Sequence, residues 1–259
     1  MKTTLYLFAT TLLLMLPPNA NAQDALKQFE ARQYSDADGN SLSYRILKPK
    51  QYDPAKKYPL VMFWHGAGER GDDNQRQLVH GMADFASAEV MEKYPAFVVA
   101  PQCPKNQKWA NNDWSADQHT MSEQPSTPMR LSLELIDSLQ KEFSIDADRI
   151  YVTGLSMGGF GTWDALQRRP KQFAAAIPIC GGGDTALAEK IASVPVWVFH
   201  GGNDTVVKTS RSRDMVQALK EAGGKPKYTE YPGVGHNSWS ATYANPEVYK
   251  WLFSQRRSS

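Results

Sequence analysis

The run Gly154-Leu155-Ser156-Met157-Gly158 holds a serine in the G-x-S-x-G spacing. In this pattern the chain leaves a strand, turns sharply and enters a helix, so the hydroxyl stands free at the end of a sheet. A serine hydroxyl is a weak nucleophile. Its use needs a base to take the proton and an acid to hold that base in one tautomer. Downstream of the serine stand His200 and His236. His236 lies in Pro232-Gly-Val-Gly-His-Asn-Ser-Trp239, a glycine-bearing loop from which an imidazole can reach over a serine, and it is assigned as the base. His200 ends a strand-like run and is assigned a structural role, packed or bonded to backbone. Asp204 follows in the loop beyond Val194–Phe199 and is assigned as the acid, whereas Asp184, after Gly181-Gly-Gly183, is placed like a helix cap. Together Ser156, Asp204 and His236 would perform acyl transfer.

That chemistry also needs donors for the oxyanion that develops on the attacked carbonyl. The Met157 N–H, directly after the nucleophile, is one candidate. The second is the Ala67 N–H in Trp64-His65-Gly66-Ala67-Gly68-Glu69-Arg70-Gly71, whose glycines let a backbone N–H turn inward. His65 is read as a brace for this loop. A phosphate cradle is not indicated, since no Gly-Lys-Ser/Thr follows and no helix opens at the loop. His65, His80, His119, His200 and His236 are scattered without a metal-binding spacing and no paired cysteines accompany them, so no metal is implied.

The elements that must position these residues read as strands alternating with helices. Leu60–Trp64, Ala96–Ala100, Arg149–Thr153, Phe173–Ile177 and Val194–Phe199 are short apolar runs of the kind found in central parallel strands covered on both faces. Leu42–Leu47 alternates polar and apolar residues and reads as a half-exposed edge strand. Met129, Leu133, Ile136, Leu139 and Phe143 form a helical stripe, with Thr127-Pro128 as cap and first turn. Phe160–Arg168 continues the serine motif as a helix. Met215, Val216, Leu219 and Ala222 mark another helix that stops at Gly223-Gly224, and a last helix from Asn245-Pro246 buries Val248, Trp251 and Leu252. The pattern predicts an α/β fold with a mostly parallel sheet and helices on both faces. Residues 104–126 follow neither period. Their length and their tryptophans, Trp109 and Trp114, mark an ordered functional loop. These two and Trp239 are candidate substrate contacts, stacking on an aromatic acyl group or a sugar ring, or they simply pin the loop.

Composition sets the frame around this domain. The 259 residues carry 29 Lys+Arg against 27 Asp+Glu, with 41% hydrophobic residues, which excludes a disordered chain and gives no basic footprint for nucleic acid. Met1-Lys2, an apolar run over Leu5–Leu16 and the small residues of Ala20-Asn21-Ala22 read as an export signal cut after Ala22, too short to span a membrane. Residues 23–259 are then one catalytic domain, periplasmic or secreted, without a membrane anchor in its mature form. Export permits a disulfide between Cys103 and Cys180. Their strands are expected about three strand spacings apart, beyond the reach of a bridge, so free buried thiols are expected.

The motifs His65-Gly-Ala-Gly-Glu-Arg-Gly71, Ala100-Pro-Gln-Cys-Pro104, Gly154-Leu-Ser-Met-Gly-Gly159, His200-Gly-Gly-Asn-Asp204 and Gly235-His236 occur in an order that resembles the exported bacterial α/β-hydrolases known as carboxylesterases or "predicted peptidases", related to feruloyl esterases and dienelactone hydrolases. The resemblance covers nearly all of residues 23–259. It implies an eight-stranded sheet, ester hydrolysis without a cofactor, and the roles given above to Ser156, Asp204 and His236. One departure matters: dienelactone hydrolases use a cysteine nucleophile where this chain has Ser156, so their substrate does not carry over. The expectation is a serine esterase for aryl or carbohydrate esters such as feruloyl or acetyl esters. Two other readings remain open: a serine peptidase with the catalytic arrangement of prolyl oligopeptidases but no propeller, and a non-catalytic binding module. The sequence leaves the oligomeric state unspecified.

Overall fold

A computed structural model describes residues 20–257. The expected export signal, except its last three residues, lies outside the described residues. The strands are β1 (Glu30–Ser35), β2 (Ser41–Leu47), β3 (Tyr58–Trp64), β4 (Phe97–Pro101), β5 (Ile145–Leu155), β6 (Ala175–Ile179), β7 (Trp197–Gly201) and β8 (Lys227–Tyr231). They form one sheet in the order β1-β2-β4-β3-β5-β6-β7-β8. β2 pairs antiparallel with β1 and β4, and the remaining pairs are parallel. The helices are α1 (Ala20–Leu26), α2 (Met82–Phe85), α3 (Ala88–Lys93), α4 (Thr127–Glu142), α5 (Met157–Arg168), α6 (Ala188–Ile191), α7 (Ser210–Glu221), α8 (Ser238–Tyr243) and α9 (Pro246–Ser254).

The strict alternation of side chains along a strand divides the core in two. In β3, Leu60, Met62 and Trp64 join the cluster under α4, α5, α6 and α7, while Val61 and Phe63 join the one under α1, α2, α3, α8 and α9. This is why β3, β4, β6 and β7 are apolar without alternation: both of their faces are buried. Among the described residues no helix is long and apolar enough to cross a membrane.

Several expectations need correction. Leu42–Leu47 belongs to β2, which is not an edge strand. The edge on that side is β1, whose mostly polar sequence EARQYS is exposed or half-buried throughout and carries no apolar run. α4 begins one residue earlier than expected at its cap: Ser126, not Thr127, accepts the Met129 N–H on its side chain. In α9, Val248 and Leu252 are buried but Trp251 is only half-buried. As expected, by contrast, Cys103 and Cys180 are free and buried, and the strands before them, β4 and β6, are separated by β3 and β5.

Because β3 and β5 to β8 run parallel, the loops that leave their C-terminal ends all emerge on one edge of the sheet. Ala67, Ser156, Cys180, Asp204 and His236 lie on those loops.

Candidate active site

Ser156 sits between the last residue of β5 and the first of α5, with φ 53° and ψ −118°. A non-glycine residue at positive φ is strained, and the strain is held by the surrounding structure. Ser156 N–H still donates to Ile179 O of β6 at 2.9 Å, so the sheet ladder runs up to Ser156 itself. Two residues on, the first turn of α5 presses against the end of β3: a Cβ on Gly158 would lie 1.8 Å from Trp64 O. Only glycine permits that approach.

The Ser156 Oγ is 2.8 Å from His236 Nε2, and His236 Nδ1 is 2.7 Å from Asp204 Oδ2. A carboxylate can only accept, so Asp204 holds the proton on Nδ1 and leaves the Nε2 lone pair facing the hydroxyl. The two loops bearing Asp204 and His236 meet at Gly201, where a Cβ would be 2.0 Å from Gly235 O. The Asn203 N–H donates to Val234 O at 2.9 Å across the same junction. The His236 side chain is 19% exposed and that of Asp204 fully buried.

Asp204 is more heavily tied than its sequence context indicates. Its Oδ1 accepts the Val206 and Val207 N–H groups at 2.8 and 3.0 Å. Its Oδ2 also receives His200 Nε2 at 3.1 Å. Burial alone would raise this carboxyl, but the donors of His200, His236, Val207 and Val206 outweigh it and hold Asp204 well below the usual carboxylate range. His200 therefore bonds to the acid itself as well as to Val207 O, not to backbone alone. The i, i+4 spacing of His200 and Asp204 was the available signal.

Ala67 opens a short 3-10 turn after β3 and Met157 opens α5, so neither N–H has an acceptor inside its own helix. A Cβ on Gly66 would lie 3.7 Å from Ser156 Cβ, which sets the Ala67 loop directly beside Ser156. His65 braces that loop: its Nε2 accepts the Cys103 N–H at 2.9 Å, and Nδ1 then donates to Gly66 O at 2.6 Å. Burial lowers the His65 pKa to about 4, so the ring is neutral and keeps this tautomer.

The three tryptophans part company. Trp239 packs edge to face on His236 with ring centroids 5.2 Å apart. Trp114 is half-buried over the small cluster of Ala110, Phe160 and Val207, with Lys108 Nζ 4.6 Å from its ring. Trp109 is wholly buried, and its Nε1 donates to His65 O at 3.1 Å. It braces the loop that carries His65 and Ala67 and, being wholly buried, offers no face to a substrate, a correction to its expected role as a substrate contact. Asp184 caps a 3-10 turn and also accepts the Met121 N–H at 2.9 Å, tying down the far end of loop 104–126.

Cys180, Asp204 and His236 each present one ligand-type atom within 4.8 Å of the others. Those atoms are already engaged. Burial pushes the Cys180 thiol up to about 12, and it donates to His236 O at 3.1 Å. Cys180, Asp204 and His236 are thus already committed to hydrogen bonds with one another and with Ser156.

A mostly parallel eight-stranded sheet with Ser156 on a strand-to-helix elbow defines an α/β-hydrolase. The chain belongs to the phospholipase/carboxylesterase family, whose model matches residues 50–245. It is similar to a thermostable esterase of known structure, with 43% identity and a TM-score of 0.83 over 90% of this chain and 64% of that one. It is 30% identical over 115 residues to a bifunctional acetylxylan esterase/xylanase of Neocallimastix patriciarum, covering 41% of this chain and 17% of that protein. It is also 30% identical over 157 residues to dipeptidyl-peptidase 5 of Porphyromonas gingivalis, covering 59% and 21%. The chain thus spans a quarter or less of the length of these curated relatives.

Proposed function

We propose that this protein is an exported serine carboxylic ester hydrolase. The observation that carries the reading is the continuous hydrogen-bonded chain from Ser156 Oγ through His236 to Asp204. In the first step Ser156 Oγ attacks the ester carbonyl carbon as its proton passes to His236 Nε2. The oxyanion accepts hydrogen bonds from the Ala67 and Met157 N–H groups, each worth about 3 kcal/mol or more. The tetrahedral intermediate collapses, the C–O bond of the ester breaks, and the leaving alkoxide takes the proton from Nε2. Water then attacks the acyl-enzyme, gives its proton to Nε2, and the acid is released as that proton returns to Ser156 Oγ. Hydrolysis of p-nitrophenyl acetate and butyrate by the wild type and Ser156→Ala tests this, and equal rates would sink it.

The substrate class is aryl or carbohydrate esters. Trp239, packed on His236, and the half-buried Trp114 of loop 104–126 support it, as does similarity to an acetylxylan esterase/xylanase. A preference in kcat/KM for methyl ferulate over methyl butyrate is expected for aryl acyl groups; none would count against stacking. A serine peptidase is the second reading, favoured by the similarity to dipeptidyl-peptidase 5. Cleavage of dipeptidyl p-nitroanilides faster than esters would establish it. Export rests on the pattern of residues 1–22, and a mature protein beginning at Gln23 by mass spectrometry is the expected result.

A further inference from the structure

Ser156 stands in a closed circuit of side chains that acyl transfer alone does not require. A Cβ on Gly66 would lie 2.9 Å from Glu69 Oε2 as well as 3.7 Å from Ser156 Cβ, so carboxylate and nucleophile border the same space. Glu69 Oε1 is 3.7 Å from His80 Nε2. The His80 ring lies 5.4 Å from Trp239, which meets His236 at 5.2 Å, and His236 returns to Ser156 at 2.8 Å. The side chains of Glu69 and His80 are 13% and 35% exposed, so both reach solvent from this rim.

A carboxylate in this place opposes the reaction when it acts alone. It sits on the loop whose N–H groups must receive an oxyanion, and like charges repel strongly in a partly buried site. Bound donors that satisfy the carboxylate remove the conflict. His80, at 3.7 Å, is beyond hydrogen-bond distance and does not satisfy the carboxylate.

We propose that Glu69, His80 and Trp239 form the leaving-group subsite and take a polyhydroxylated alcohol, a sugar ring. This rests on the ester-hydrolase reading above and names its alcohol. His236 Nε2 must hand its proton to the departing oxygen, so the leaving group lies against His236 and beside the indole packed on it. A sugar offers an apolar C–H face and a fringe of hydroxyls. The indole takes the face, the carboxylate accepts from hydroxyls, and the imidazole exchanges a hydrogen bond with another.

The test compares kcat/KM on methyl 2-O-acetyl-xylopyranoside and cyclohexyl acetate, which share the acetyl group and differ in ring hydroxyls, for the wild type, Glu69→Gln, His80→Phe and Trp239→Leu. The wild type is expected to favour the sugar ester by about tenfold or more, and Glu69→Gln and Trp239→Leu should each cut that ratio about tenfold. A ratio near one in the wild type, or one unchanged in both variants, overturns the subsite. So does a preference for acetylcholine over 3,3-dimethylbutyl acetate that Glu69→Gln abolishes, since the carboxylate would then be an ammonium site. Turnover of cyclohexyl acetate by the wild type and none by Ser156→Ala upholds ester hydrolysis on its own, so a flat ratio then counts against the subsite alone.

Discussion

His200 Nε2 lies 3.1 Å from Asp204 Oδ2, the oxygen that His236 Nδ1 approaches to 2.7 Å. Val207 O, 3.1 Å from the same His200 nitrogen, can only accept, so Nε2 carries a proton. The Ser212 hydroxyl, 2.7 Å from Nδ1, completes the bonding of a fully buried ring. Asp204 is thus held by two imidazoles on one oxygen, and His236, which faces Ser156, is aimed by the acceptor capacity that His200 leaves.

His200→Phe removes one donor from Asp204 Oδ2 and the ring-nitrogen partner of the Ser212 hydroxyl. It should lower stability by about 2 kcal/mol, the usual cost of losing a hydrogen bond to a charged group. It should also lower kcat about tenfold through a misplaced carboxylate. His200→Gln, which can present an N–H near the lost Nε2, should recover part of the kcat. Esterase kinetics with thermal unfolding of the two variants check this; equal kcat losses in both would argue against positioning through Asp204.

Ser156 holds φ 53° and ψ −118°, a conformation natural to glycine. Ser156→Gly and Ser156→Ala should both lose activity by about 10⁴-fold or more. They should differ in stability, the glycine variant being more stable than the alanine variant by about 1 kcal/mol. Denaturant unfolding of the two proteins measures the difference, and an alanine variant as stable as the glycine one would mean that the elbow stores no strain.

Stability should fall with acidification in two stages. The His65 pKa is lowered to about 4 by burial, whereas an unfolded histidine titrates near 6.5, so the unfolded chain binds the extra proton first. Its contribution, about 3 kcal/mol, is fully present above pH 6.5 and is lost as the pH falls towards 4. Asp204, held below the usual carboxylate range, adds stability above about pH 4 that is lost only at still lower pH. Urea unfolding at pH 7 and pH 4.5 should show a smaller drop in His65→Gln than in the wild type; an identical drop would dismiss the His65 contribution.

Trp109→Leu should act on stability, not on substrate choice. The indole is fully buried, packs edge-on to His65 at 5.3 Å and donates to His65 O. Its truncation should cost about 2–4 kcal/mol. The ratio of kcat/KM between aryl and alkyl esters should stay as in the wild type, and a changed ratio would return Trp109 to the substrate pocket.

Much of the site was legible because its signals are local. The G-x-S-x-G run between an apolar strand and a helix, Asp204 after β7 and His236 after β8 each announce a loop at the same sheet edge, and their chain order is compatible with one site. β1 was not legible, since a polar edge strand buries nothing that a periodicity could reveal. Trp109 and Trp114 look alike in the sequence, five residues apart in one loop, yet one is core and the other half-buried.

The sequence by itself determined the element types, the two-sided burial of the central strands, the nucleophile's elbow and the candidate acid and base, because each depends on residues that are neighbours along the chain. The tertiary structure decided what depends on separations of tens of residues. It brought His200 to share an oxygen with His236, turned Trp109 inward beneath His65, and set Glu69, His80 and Trp239 around one space. Those outcomes follow from strand order and loop crossing, which fix distances between side chains that no local pattern encodes.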